Sequence, residues 1–595
     1  MANRDDFLNC CFVDRHGGPG AVFPLICLAQ ERYNHYLVKK RTTIWEDIKG
    51  KDACQVLILG GGVNGTGLIR DLALQGVSCV LVDKADFSAG ASSKSSRMIH
   101  GGLRYLENAE FRLVGEAVAE RNRLLRNAPH FVKPLKTTIP IDSWFAGLIK
   151  SPLMFLGLPV KVGGRGALIV KAGLTLYDII SGKHGQTPRH FFSSKKKALK
   201  ETPGLRTNIV CTANYWDAWI SQAERLWVEM IQEACSSNPD CAAINYVTAA
   251  KNGKDQVLLT DQATGEETLI KPDIVVNATG AWVDSANSAM GFKSKFMGGT
   301  KGSHLVIDNE ELYNALGDRM VYYEHTDGRV CITFRFMDKV IMGSTDIRVE
   351  RPDYAQCDDE EIDYMLTSLR GVFPSMDVSR KDIVFTFCGV RPLAASGLDY
   401  TSRVSRAHRI TVSEPDEERS FRIYSMIGGK LTTFGALAHQ TADMMLQELG
   451  KKRNGTVDER PYTGAVGYPA DDAAKALWTG RTAQENGLNQ ELMARLLERY
   501  GTLAERIVVE KKAAMTPLQS LPDYTVGELQ YIAEQECVRH LSDIVRRRSI
   551  VTLLGLARED VLKEMAEIAG NVLDWDEARK EEEIALALKE AGDRK

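Results

Sequence analysis

The stretch Leu59 to Gly76, LGGGVNGTGLIRDLALQG, constrains the fold more than any other part of the chain. It opens as Gly60-x-Gly62-x-x-Gly65. With 50 glycines among 595 residues such a spacing arises by chance, so its context decides what it means. Residues 55–60, QVLILG, read as a buried parallel strand. Leu68, Ile69, Leu72 and Leu74 then form the apolar stripe of a helix that stops at Gly76, and residues 77–84, VSCVLVDK, read as a second buried strand. In such a β-turn-α-β unit Gly60 permits the tight turn and Gly62 lets backbone approach a pyrophosphate. Gly65 lets helix and strand pack closely, and the helix N-terminus offers free N–H groups to the anion. Asp83 closes the second strand 18 residues after Gly65, in the position of a ribose-binding carboxylate. The unit reads as a dinucleotide site. The alternative is an ordinary strand–turn–helix with incidental glycines, and the loop alone does not separate FAD from NAD.

The length exceeds what one core usually supports, so two or more domains are expected. At 44% hydrophobic and 26% charged residues the chain has the composition of an ordinary soluble globular protein. A net charge of −3 gives no global reason to expect a nucleic acid partner. None of the twelve cysteines forms a C-x-x-C pair, and most sit in apolar stretches such as VSCVLV and FTFCGV. They read as buried thiols of a reducing compartment, and no metal site is expected. The apolar run at 21–29, AVFPLICLA, is far short of a membrane helix, and residues 1–45 read as an undetermined extension.

Further along, residues 110–126 place Leu113, Val114, Ala117, Val118, Leu124 and Leu125 mostly on one helical face. Strand-like segments follow, among them IKPDIVVNATG, GSHLVID, RVCITFRFMDKVIMGSTD and KDIVFTFCGVRPL. Residues 452–470 form a turn-rich linker, and beyond them helix formers dominate.

The segment at 87–107, FSAGASSKSSRMIHGGLRYLE, is dense in small and hydroxyl residues and ends in HGGLRY. It resembles the flavoprotein oxidoreductases that include FAD-dependent glycerol-3-phosphate dehydrogenases and oxidases. NATGAWVD at 277–284, KGSHLV at 301–306, GSTD at 343–346, GVRPL at 389–393 and GGKLTTF at 428–434 resemble later motifs of that family, in the same order. RYG at 499–501 and DIVRRRSIVTLLG at 543–555 resemble its helical C-terminal region. The chain is similar over roughly 50–555 to the aerobic, flavin-linked glycerol-3-phosphate dehydrogenases. Gly435 stands where that family commonly carries arginine, and residues 144–205 and 213–220 match only loosely.

The resemblance implies an α/β fold: a Rossmann-like FAD-binding domain, an inserted β-rich substrate domain and a helical C-terminal domain. The expected division is an extension 1–50; FAD-binding parts 51–145, 211–298 and 421–450; a substrate-domain insertion 146–210; a substrate-binding domain 299–420; and a helical domain 451–595. FAD is the implied cofactor, held by Gly60, Gly62, Gly65, Asp83, Ser92, Ser93, Gly280, Gly429 and Thr432. The implied reaction is hydride transfer from C2 of sn-glycerol 3-phosphate to flavin N5, giving dihydroxyacetone phosphate, with electrons passed to a membrane quinone.

Oxidising a phosphorylated secondary alcohol needs cations for the dianion and a group to take the hydroxyl proton. Arg104, Arg391, Lys430 and one arginine of SRVSRAHRI are the candidate cations. The resemblance favours Arg406 in the last, with Arg403 and Arg409 nearby. His100 is the first candidate base and His304 the second, and Tyr105 is placed to hydrogen-bond substrate. Lys430 is expected either to stabilise reduced flavin or to contact substrate.

Quinone reduction implies peripheral membrane contact. The run at 144–174 mixes aromatic and aliphatic residues with lysines and arginines, as interfacial segments do; a substrate-domain core insertion is the other reading. The expected location is cytoplasmic, on the inner membrane of a bacterium, and nothing in the sequence excludes a homodimer. The VRRRS cluster at 545–549 reads as a solvated helix face or a domain contact. Other functions left open are an oxygen-using oxidase, a flavoprotein for another small anion, and a non-catalytic dinucleotide-binding regulator.

Overall fold

Two sheets carry the fold in the computed structural model, which describes residues 39–108, 110–146, 166–182, 185–325, 327–395 and 406–592. The first is built on the expected β-turn-α-β unit. Strand Ala53–Leu59 lies between Cys79–Val82 and Glu267–Asn277, parallel to both. Ala242–Ile244 and Arg422–Ile427 extend the parallel sheet on its two sides. Parallel strands need cover on both faces, and the alternation of one strand supplies it. Val56 and Ile58 pack with Leu68 and Leu72 of helix Val63–Leu74 and with Leu437 and Ala442 of helix Phe434–Glu448. Leu57 and Leu59 pack on the other face with Trp45, Ile48 and Met290. Trp45 and Ile48 belong to helix Arg41–Lys49, so the last residues of the expected extension 1–50 are part of this fold. Residues 1–38 lie outside the described residues.

The second sheet has ten strands. Val132–Ile141 runs antiparallel to Cys211–Ile220 over their whole lengths. On its other side it pairs in parallel with Arg319–Glu324. Val330–Phe336, Lys339–Gly343 and Thr300–Ile307 follow in antiparallel order, and Ile383–Arg391 closes on Thr300–Ile307. Helix Asp359–Val372 starts in an Asp358/Glu361 capping box. It lays Met365, Leu366 and Leu369 over Leu305, Val340 and Met342.

Two strands fall on the other side of the expected boundaries. Val132–Ile141 lies inside segment 51–145 and Cys211–Ile220 opens segment 211–298, yet both belong to the ten-stranded sheet. A strand's own residues do not name the sheet it joins, because pairing is set by tertiary partners.

Helix Phe111–Asn127 matches the expected face. Beyond the linker, helices Asp472–Asn486, Gln490–Tyr500, Leu503–Glu510, Val526–Gln535, Glu559–Leu573 and Glu577–Ala591 make the C-terminal region. Cys537, with φ 53°, and Asp574, with φ 57°, break the longer runs of helix formers. The VRRRS cluster is a buried domain contact, not a solvated face. Arg548 is 1% exposed, and it sits in a π-helical turn, Ile544–Arg548.

Candidate active site

A cleft of about 790 Å³ runs between the two sheets, and its floor is the glycine loop. Gly60 has φ +102° and a Cβ there would stand 2.9 Å from the Ala278 carbonyl, so only glycine turns the chain here. A Cβ on Gly65 would overlap the Gly60 carbonyl oxygen. Gly65 therefore serves close packing and does not line the cleft, whereas Gly60 and Gly62 do. The amide of Val63, in the first turn of helix Val63–Leu74, donates to Ser92 Oγ at 2.9 Å, which ties the serine-rich segment to the loop. Ser93 does not line the cleft; its hydroxyl turns to the Gly90 carbonyl at 3.4 Å. A local turn has taken the donor that the resemblance assigned to the cofactor.

Asp83 accepts from Gly61 N at 2.7 Å and from Ala85 N at 2.9 Å. Burial pushes its carboxyl up to about 6 against those two bonds. Each carboxylate oxygen keeps a further lone pair for a hydroxyl, so the residue can still face a ribose. Ser88, with φ 64°, also lines the cleft, and its buried hydroxyl has no partner among the described residues. Trp282 spans the outer end, donating from Nε1 to Asp353 at 2.7 Å, with Lys84 5.0 Å from its ring centre.

The other end gathers His100, Tyr105, His304, Arg391, Arg406, Lys430 and Thr432 from separate parts of the chain. The His100 amide donates to Thr432 Oγ1 at 3.1 Å, joining the HGGLRY and GGKLTT segments. Gly280 and Gly429, with φ +61° and +94°, line the cleft beside them. Burial, with Lys430 and Arg406 nearby, holds His100 down to about 4, and Asp217 opposes the shift. Burial, with Arg391 and Arg97, holds His304 down to about 3. The His304 ring stacks on Phe387 at 4.7 Å, is 3% exposed, and leaves both nitrogens without a partner among the described residues. Lys430 Nζ sits 3.6 Å from the Tyr105 ring centre and has no hydrogen-bond partner among the described residues. Burial, then Arg406, brings it down to about 7.

One of the expected cations is placed differently from the simple clamp. Arg391 lines the cleft, but its fork is committed. Nη1 donates to Lys301 O and Asp346, and Nη2 to Ser344 Oγ and Thr345 O, at 2.8–3.2 Å. Arg406 lines the cleft with no hydrogen bond or ion pair among the described residues. Arg409 lies at the start of strand Arg409–Ser413, 5.9 Å from the Phe296 ring centre and away from the cleft. Arg403 and the Arg104 side chain lie outside the described residues. Gly435 abuts Glu120, whose Oε2 would be 2.5 Å from an added Cβ.

Sequence reasoning passed over a buried network behind His100. Asp217 Oδ1 accepts from Gly101 N at 3.1 Å, Tyr177 OH at 2.5 Å and Arg121 Nη1 at 3.2 Å. Its signal was an acidic residue in the middle of the apolar, aromatic strand ANYWDAWI. A buried acid needs partners, and these hold the backbone on which the histidine stands.

The cleft thus has the glycine loop at one end and, at the other, His304, Lys430 and Arg406 without hydrogen-bond partners among the described residues. The cradle admits no Cβ at Gly60, and the Ser88 hydroxyl and both His304 ring nitrogens lack hydrogen-bond partners among the described residues. Those features fit an elongated dinucleotide with a small anion beside it.

Residues 55–444 match the family of FAD dependent oxidoreductases, and residues 456–580 match the C-terminal domain of alpha-glycerophosphate oxidase. The chain is 31% identical over 530 residues to a glycerol-3-phosphate dehydrogenase of Synechocystis sp., covering 84% of this chain and 89% of that one. It is 28% identical over 574 residues to an aerobic glycerol-3-phosphate dehydrogenase of Staphylococcus aureus, covering 93% and 97%. In architecture it is similar to the FAD complex of the glycerol-3-phosphate dehydrogenase from Bacillus halodurans. The TM-score is 0.71 at 23% identity, over 93% of this chain and 97% of that one, a likeness of fold.

Proposed function

Because this chain belongs to the FAD-dependent glycerol-3-phosphate dehydrogenase family, we propose that it oxidises sn-glycerol 3-phosphate to dihydroxyacetone phosphate. The observation that carries the reading is the meeting of Arg406, Lys430 and unpartnered His304 at one end of a cleft whose floor is a dinucleotide loop. FAD, when bound, supplies a two-electron acceptor for the hydride that leaves C2. Gly60, Gly62, Ser88, Asp83 and the N-terminus of helix Val63–Leu74 are the residues that would hold it.

Arg406 and Lys430 bind the phosphate in this reading. His100 accepts the C2 hydroxyl proton on its neutral imidazole. Lys430 and Arg406 are among the groups that depress His100. A dianion paired with them removes part of that effect, so substrate binding raises the basicity of the imidazole. The Asp217 network positions the segment, and His304 donates or accepts one hydrogen bond toward the substrate. Arg391 braces the 343–346 segment under it and contributes charge without a free fork.

The test is anaerobic. The purified protein is expected to be yellow and to bleach on adding glycerol 3-phosphate, but not on adding glycerol. A yellow protein that glycerol 3-phosphate does not bleach defeats the substrate assignment. Peroxide formed in stoichiometric yield in air would replace the quinone with oxygen.

The acceptor in this reading is a quinone reached from a bacterial inner membrane on its cytoplasmic face. No helix among the described residues is long and apolar enough to cross a membrane. Trp144, Phe145, Leu168 and Ile179 are instead exposed by 45–69%. Trp144, Leu168, Lys171, His190, Phe191 and Phe192 also line a cavity of about 390 Å³. The inner face of the same helix, Ala167–Ser181, carries Tyr177 against Gly101. One helix thus joins an apolar, lysine-bearing surface to the site. Residues 147–165 of the expected interfacial run lie outside the described residues. The double variant Phe145→Ser, Leu168→Ser is expected to lose most flotation with anionic liposomes while keeping its rate with a soluble dye acceptor. Equal flotation by parent and variant would remove this surface from the proposal.

A further inference from the structure

Asp86 is a buried charge that the proposed reaction does not use. It is 1% exposed and three residues beyond Asp83. Its carboxylate points out of the cleft and into the C-terminal domain. Arg548 grips it with both terminal nitrogens, at 2.8 and 2.9 Å, and Arg547 Nε and Asn245 Nδ2 complete four donors. Despite its burial, the Arg548 and Arg547 guanidiniums hold the carboxyl well below the usual carboxylate range. The arginines are themselves fixed. Arg548 also donates to Glu536 O at 2.8 and 3.1 Å, and Arg547 donates to Asp543 Oδ1 at 2.6 Å. The π-helical winding of Ile544–Arg548 lets two consecutive side chains reach one carboxylate.

The other side of the same turn faces the cleft. Asp83, Lys84, Ala85, Ser88 and Ala89 all line it. The turn is tied to the glycine loop by Gly61 N on Asp83 and by Ser88 N on Gly61 O at 3.0 Å. Among the described residues, none beyond Thr432 lines the cleft. Any effect of the C-terminal helices on the cofactor must therefore pass through a neighbour, and Asp86 is the residue in the cleft-lining turn that they hold.

We propose that the C-terminal domain sets how tightly FAD is held, with Arg547, Arg548 and Asp86 as positioning residues for the turn that carries Asp83. The proposal rests on FAD occupying this cleft. Loosening the turn weakens the Asp83 and Ser88 contacts without touching the substrate end, so FAD is released faster while the loaded enzyme turns over as before.

The test dilutes holoenzyme and follows the rise of flavin fluorescence. Arg548→Lys and Asp86→Asn are expected to release FAD at least tenfold faster than the parent. Arg547→Lys, at a site 11% exposed, should do so several-fold and carries the test if the buried variants do not fold. With FAD in excess, kcat should stay within twofold. Arg499→Lys is the control: it weakens the pair with Glu528 inside the helical domain, in which neither Asp86 nor Arg547 nor Arg548 takes part. It should lower the unfolding temperature and leave FAD release unchanged. Release rates within twofold of the parent in folded variants overturn the proposal, as does equal acceleration by Arg499→Lys. A parent protein that carries no flavin defeats the FAD reading instead.

Discussion

Arg406→Ala is expected to raise KM for glycerol 3-phosphate by about 30- to 1000-fold, with FAD still bound and kcat changed far less. The charge of Arg406 is felt throughout the substrate end of the cleft, where it depresses His100, Lys430 and Arg391 together. Like charges so placed repel in the free protein, and a phosphate dianion relieves them. Removing one cation from such a desolvated pairing costs about 2–4 kcal/mol, which is the fold-change above. The effect belongs to KM because the phosphate is remote from the bond that breaks and is bound alike before and during the reaction. Steady-state kinetics and the flavin spectrum measure both quantities. Arg391→Ala should behave differently. Its fork holds Lys301, Ser344, Thr345 and Asp346, so its loss should lower stability and kcat as well as raise KM. A parent-like KM in Arg406→Ala would move the phosphate site elsewhere.

The contrast between these arginines shows where sequence reasoning stops. The glycine loop was legible because turn, helix and strand periods agree over a short stretch, and each glycine has a steric reason that the structure bears out at Gly60 and Gly65. His100, His304, Lys430 and Arg391 were legible as cleft residues because they sit in glycine-flanked motifs. What each does with its hydrogen bonds was not. Arg391 is spent on backbone carbonyls that lie 46 and 90 positions away in the chain, and only the folded sheet brings them together. Ser93 was lost to a local turn. The sheet membership of Val132–Ile141 and Cys211–Ile220 was hidden because neither strand alternates in burial and their pairing partners lie far along the chain. The VRRRS arginines look like surface charge until Asp86, some 460 positions away, is found beneath them.

Lys430 makes the second large expectation, one of pH. Lys430→Met should lower kcat/KM by about 10²- to 10³-fold, as removal of one preorganised charge commonly does. The parent should show a basic limb near 7 in kcat/KM, because Lys430 in the free enzyme is brought down to about 7 by burial and Arg406. The active form is the charged lysine, so activity falls as pH rises through that value. In kcat the limb should lie higher, since bound phosphate favours the ammonium form. On the acid side His100, at about 4, and His304, at about 3, are already neutral. The acid limb of kcat/KM therefore belongs to the second ionisation of the substrate phosphate, near 6. Lys430→Arg separates these assignments, because a guanidinium stays charged throughout the range. It should retain part of the activity and abolish the basic limb while leaving the acid limb in place. A basic limb unchanged in Lys430→Arg would assign it to another group and leave Lys430 without a role in holding the dianion.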